Sequence, residues 1–121
     1  TLDKGKNFDK IDNSFLGQLN FTYPTTDFVN MQDSKVKNFY TKFRSKNFTL
    51  PSKFAVRGFD VTFDILLRLA SEDSIEEALR AGKSARVSAL FNYNKKLFGS
   101  FENNGVYIVQ YNKELSPVIV E

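Results

Sequence analysis

The chain has 121 residues, 41% hydrophobic and 26% charged, with a formal charge of +3; that is the balance of an ordinary globular chain, long enough for one core. It holds no Cys and no His, which excludes disulfides, thiolate metal sites, Cys nucleophiles, Ser-His-Asp triads and the usual general base near neutral pH. No apolar run approaches the roughly 20 residues that a bilayer-crossing helix needs.

Thr1-Leu2-Asp3-Lys4 has neither an initiator Met nor an apolar signal core and reads as a cut end. Asn7 is a plausible N-cap, and Phe8, Ile11, Phe15, Leu16 and Leu19 follow helical spacing, so a helix is expected over about 8–19. Phe21 and Tyr23 alternate with polar residues and predict a short strand ending at Pro24. A polar loop follows to Gln32. Asp33 or Ser34 then caps a helix whose apolar stripe is Val36, Phe39, Tyr40 and Phe43.

Pro51 to Ala70 reads as one long helix with Pro at its start. At 100° per residue, Ala55, Phe59, Thr62, Phe63, Leu66, Leu69 and Ala70 share one side. Lys53, Arg57, Asp60, Asp64 and Arg68 form a narrow ribbon on the other. The expectation is an apolar face toward the core and an ionic ribbon toward water, with Gly58 allowing close approach of a neighbour. Thirteen Phe and no Trp suggest a Phe-built core.

Ser74-Ile75-Glu76-Glu77 fits a capping box, and Gly82 is a natural helix stop. Strand is expected from Val87 to Tyr93, a turn at Asn94-Lys95-Lys96, and pairing back over Leu97 to Phe101. A further turn is expected at Asn103-Asn104-Gly105, then strands over Val106 to Tyr111 and Val118 to Val120 around a turn at 112–114. The early strand has helices on both sides in sequence, so it is expected to be buried in a parallel sheet. The fold class is α/β, with residues 1–121 a single domain or part of one.

The run Val36-Lys37-Asn38-Phe39-Tyr40-Thr41-Lys42-Phe43, followed by Leu50-Pro51-Ser52-Lys53-Phe54-Ala55-Val56-Arg57-Gly58-Phe59-Asp60, resembles the second lobe of type I periplasmic solute-binding proteins, the branched-chain amino-acid receptor class. There an F-x-x-x-[YF] helix precedes P-x-x-[YF]-A-x-x-G-[YF]-D at the start of a long apolar helix. Leu90-Phe91-Asn92-Tyr93-Asn94 is similar to the family's F-x-[FY]-[DN] strand, and Asn104 to Tyr111 to its closing strand. Phe8-Asp9-Lys10-Ile11-Asp12, Leu19 to Thr25 and Gly58 to Thr62 resemble a Bacteroidetes-type subgroup that often carries LysM peptidoglycan-binding modules. Ser88 and Ala89 stand where the family usually has Gly.

The resemblance implies a partial three-layer periplasmic-binding-protein-like lobe, with helices around a short parallel sheet and antiparallel strands at the C-terminal end. The first lobe and the earlier strands of the second have no counterpart in the sequence. It also implies a non-enzymatic module of an exported protein of the periplasm or cell envelope, forming one wall of a two-lobe cleft. The partner would be a small polar solute or a cell-wall component. The alternative is a structural or interaction domain that has lost solute binding, with an exposed strand edge as a route to a homodimer.

Ligands of open α/β sheets sit beyond the carboxyl ends of strands. Tyr23, Thr25 and Thr26 are therefore candidate ligand residues, as are Lys6 and Asn7 at an expected helix N-terminus. The carboxylate pairs Asp9/Asp12, Asp60/Asp64 and Glu76/Glu77 have no neighbouring nucleophile and read as surface charge. No catalytic residue, metal or cofactor is expected. Seven cations and no acid lie between Ser34 and Gly58. They read as a solvated helix face, and no nucleic-acid partner is expected.

Overall fold

A computed structural model describes residues 4–114 and 116–120. The helices are α1 (Asn13–Gln18), α2 (Ser34–Asn47), α3 (Lys53–Ser71) and α4 (Ile75–Arg80). The strands are β1 (Thr22–Thr25), β2 (Ser84–Ala85), β3 (Leu90–Phe91), β4 (Tyr93–Lys95), β5 (Phe101–Asn103), β6 (Tyr107–Tyr111) and β7 (Pro117–Ile119). They fall into two compact units. One is drawn from the two ends of the chain, up to Asp27 and from Val106 onward, and the other is Phe28–Gly105.

The terminal unit is a three-stranded sheet in the order β1-β6-β7, antiparallel throughout. This corrects the expected parallel sheet. β1 is flanked by helices in sequence, yet its partner returns from the far end of the chain, a pairing that no local pattern reveals. The strand also runs through Pro24 instead of stopping at it. The Tyr111 N–H donates to the Phe21 carbonyl at 2.9 Å, which places Phe21, Tyr23 and Thr25 in the hydrogen-bonded register. Pro24 falls between them on an edge strand, where its missing N–H faces away from β6.

The helix expected over 8–19 is broken. Lys6–Phe8 is a single 3₁₀ turn, and α1 starts only at Asn13. Its cap is Asp12, whose carboxylate accepts the Ser14 N–H, so Asn7 is not a cap. Leu16 is buried beneath α1, and β6 alternates buried Tyr107, Val109 and Tyr111 with half-buried residues. Gly17 is required by proximity: a Cβ there would lie 2.4 Å from the Asn112 carbonyl oxygen.

In the Phe28–Gly105 unit, Asp33 caps α2 by accepting the Lys35 N–H, and Phe48 closes it in the left-handed region at φ 57°. α3 starts at Lys53 on a Ser52 cap, two residues beyond the expected Pro51 start. Ser74 caps α4, accepting the Glu77 N–H and donating to the Glu77 carboxylate. Gly82, at φ 87°, follows its end. The strand expected over Val87 to Tyr93 is two short strands, β3 and β4, preceded by a tight turn at 86–89 in which the Arg86 N–H donates to the Ala89 carbonyl. The β4–β5 hairpin turns beyond Lys95, so Asn94 and Lys95 are strand residues.

The apolar core of this unit is small: Val36, Val56 and Val87, with Phe39 and Tyr40 packed against them. Among the described residues, Phe91 is the one Phe in the buried set, while Phe48, Phe54 and Phe98 are exposed. The expected Phe-built core is thus replaced by one of Val, Ala and Tyr.

Two glycines separate proximity from propensity. A Cβ on Gly105 would sit 1.9 Å from the Leu90 carbonyl oxygen, whereas one on Gly58 meets nothing within 4 Å. Gly58 therefore serves no close approach. Gly105→Ala should lower unfolding stability by roughly 2–4 kcal/mol through forced backbone movement. Gly58→Ala should raise it by about 0.5–1 kcal/mol through helix propensity. Urea unfolding of both variants checks the opposite signs.

Candidate functional site

The ionic ribbon of α3 faces inward. Asp60 and Asp64 are both 0% exposed, and Arg68 is 5% exposed. They lie at i, i+4 and i+8, one above the other on one helix face, alongside buried Val56. The expected solvated ribbon is therefore overturned for these three.

Asp60 holds the 86–89 turn. One carboxylate oxygen accepts the Val87 N–H at 3.0 Å. The other accepts the N–H groups of Ser88 and Ala89 at 2.8 and 2.9 Å and the Ser88 hydroxyl at 3.1 Å. Three successive amides converge on one carboxylate, the donor arrangement of an anion-binding nest, filled by the chain's own side chain. The backbone of Ser88 and Ala89 is thus clamped from α3.

One turn on, Asp64 ties α3 to Ser84 of β2 and to Arg86 just beyond it. It accepts Arg68 Nε at 2.7 Å, Arg86 Nε at 2.9 Å and the Ser84 hydroxyl at 2.5 Å. Arg68 also donates to the carbonyls of Ala78 and Gly82 and to Ser84 Oγ, at 3.1, 2.9 and 2.9 Å. Aromatic rings flank both guanidiniums: Arg68 lies 5.1 Å from the Tyr93 ring centroid and Arg86 lies 5.6 Å from that of Phe63. Among the described residues no buried side-chain nitrogen or oxygen lacks a partner. Burial pushes the Asp64 carboxyl upward, but the Ser84, Arg68 and Arg86 hydrogen bonds and the Arg68 charge outweigh it and hold the group below the usual carboxylate range. Burial, and then the Asp64 charge, push the Tyr93 phenol up.

The apolar side of α3 is correspondingly uncovered. Phe59 is 39% exposed, Phe63 41% and Leu66 59%, with Leu67 and Leu69 similar. Beside α2 this face becomes a groove of about 760 Å³. Its floor carries four rings, with the Phe39 and Phe59 centroids 4.6 Å apart, Phe59 and Phe63 5.3 Å, and Phe39 and Phe43 6.1 Å. Val36 and Val87 complete the floor. Lys35, Lys42 and Lys46 line it from α2, and Asp33 is the one lining carboxylate.

The five residues expected to contact a ligand all belong to the terminal unit, and their polar groups are engaged locally or exposed. The Thr25 hydroxyl donates to the Asp27 carbonyl and accepts the Asp27 N–H. The Thr26 hydroxyl donates to the Asp27 carboxylate. Tyr23 stacks between Phe21 and Tyr111, with centroids 6.0 and 6.3 Å away. Burial, followed by Tyr111, raises its phenol pKa. Lys6 and Asn7 are exposed on the 3₁₀ turn, which is too short to present a helix N-terminus.

Sequence reasoning missed Asp60, Asp64, Arg68, Ser84 and Arg86. The available signal was the narrowness of the ribbon: an Asp-Asp-Arg stripe at i, i+4, i+8 opposite an apolar arc wider than one core contact fills. Comparison with protein-family models, curated proteins and solved structures finds nothing that matches this chain. Among the described residues no helix is long and apolar enough to cross a membrane.

Because the folded Asp64 pKa is depressed, its contribution is complete above the unfolded value near 4 and is lost as pH falls through the lower folded value. Arg86→Gln removes part of the support, so the acid loss of stability should move to higher pH. Urea midpoints measured from pH 2 to 7 check this. Asp60→Ala leaves three buried amides without their acceptor and should cost about 3 kcal/mol, with Val87, Ser88 and Ala89 losing hydrogen-exchange protection first.

Proposed function

We propose that this chain is a non-enzymatic module of an exported cell-envelope protein of the receptor-like, solute-binding class, supplying a wall that closes against another body. One observation carries the reading. The longest helix buries its ionic stripe and leaves its apolar stripe at the surface, so α3 is a middle layer, held on one side by the 84–89 segment and open on the other. A contiguous face of Phe59, Phe63, Leu66 and Leu69 at this exposure is the kind of patch that marks an interaction surface. In the receptor-like reading, the remainder of a lobe covers it, and a small polar solute or cell-wall component binds between lobes.

The interaction-domain reading is favoured by a separate observation. The hydroxyls of Thr25 and Thr26 are engaged with Asp27 in their own loop, and Lys6 and Asn7 lie exposed on a single 3₁₀ turn. A thermal-shift screen of the complete reading frame against amino acids, sugars and muropeptides separates the two. On the solute reading, at least one compound raises the melting temperature by several degrees at concentrations well above its Kd. No shift with any of them would overturn solute binding in favour of the interaction domain.

A further inference from the structure

We infer that the groove between α2 and α3 is a docking site for an acidic amphipathic helix. The groove is the α2-side part of the apolar α3 face that the proposed function leaves to a covering body. The inference therefore rests on that reading and names the chemistry of the cover; it does not depend on any solute being bound. Phe39 and Phe43 on α2, and Phe59 and Phe63 on α3, are i, i+4 pairs, and Phe39 and Phe59 meet at 4.6 Å to join the two helices in the groove floor. Two antiparallel or crossing helices that expose such a seam leave a surface into which a third helix packs, its apolar residues at i, i+3, i+4 and i+7 filling the gaps between rings. The volume of about 760 Å³ is of the order of a ligand-sized cavity, enough for a few large aliphatic side chains.

The charge distribution selects the occupant. Lys35, Lys42 and Lys46 stand on the α2 side of the groove. None of the three makes an ion pair among the described residues. At about 1.5 Å per residue, they mark out roughly 16 Å of helix. A single anionic headgroup meets one such position, whereas carboxylates along a helical peptide meet all three. Arg86, the other lining cation, is committed to Asp64. Asp33 is already engaged as the α2 cap. The α2 rim thus offers three cations against one carboxylate, which sits at the helix N-terminal end as its cap. That favours acidic partners and disfavours basic ones.

The test uses two fluorescein-labelled, capped helical peptides of about 14 residues. Both carry Leu at i, i+3, i+4 and i+7; one has Glu at the flanking positions and the other Lys. Fluorescence anisotropy at low and at physiological salt should show the Glu peptide binding at least tenfold more tightly than the Lys peptide, with the difference shrinking as salt rises. Lys42→Glu combined with Lys46→Glu changes exposed side chains only and should reverse the preference. Phe43→Ser should weaken both peptides. Equal binding of the two peptides, no reversal in the charge-swapped variant, or no binding up to millimolar peptide would each overturn the inference. Displacement of the Glu peptide by dodecanoate with equal efficiency in wild type and the charge-swapped variant would also do so, in favour of a simple acyl-chain groove. Light scattering that shows a dimer dispersed by Phe43→Ser would overturn it in favour of a second copy as occupant.

Discussion

The buried carboxylate of Asp60, accepting three consecutive amides, is the constraint on which the Phe28–Gly105 unit depends. It gives α3 a fixed rotation about its own axis. Once Asp60 points at the 86–89 turn, Asp64 and Arg68 follow on the same face, and the Phe59–Phe63–Leu66 arc has to point elsewhere. An isolated carboxylate would not survive such burial. Here the Asp60 oxygens accept three amides and the Ser88 hydroxyl, and Asp64 one turn later accepts from two guanidiniums. The energetic weight lies less in any net gain from the ion pairs than in the cost of removing a single partner and leaving the others buried without it.

That rotation links stability to the proposed role. A helix fixed by its ionic side keeps its apolar side available without depending on it for folding. The small Val36–Val56–Val87 cluster and the two carboxylate anchors hold α2, α3 and the 84–89 segment together, while the four-ring seam between α2 and α3 stays open. The lysines of α2, which read in sequence as a bland solvated face, border that seam. Their meaning comes from what they stand beside.

The terminal unit shows the same division. Its sheet joins β1 to a strand more than eighty residues later, and Pro24 is accommodated because β1 is an edge. The residues that could have met a ligand are spent locally: Thr25 and Thr26 on Asp27, Tyr23 in a ladder of rings with Phe21 and Tyr111. Polarity at the end of a strand was a sound reason to suspect them. The two threonine hydroxyls nevertheless pair with Asp27, within two residues, an arrangement that strand-end position alone does not reveal.

Local chemistry was legible from the sequence. The α2 helix, the Ser74–Glu77 cap, the Gly82 stop and the last two strands, β6 and β7, follow from periodicity, capping residues and turn formers, all of which act within a few positions. The two-sidedness of α3 was legible too, since the spacing of Asp60, Asp64 and Arg68 against Phe59, Phe63 and Leu66 is a property of the helix alone. Which side faces inward was not. Burial of an ion depends on whether amides and guanidiniums twenty or more residues away converge on it. Only the tertiary structure brings Val87, Ser88 and Ala89 to Asp60, and Ser84 and Arg86 to Asp64, and so decides that the charged stripe is the inside of this helix and the apolar stripe its outer surface.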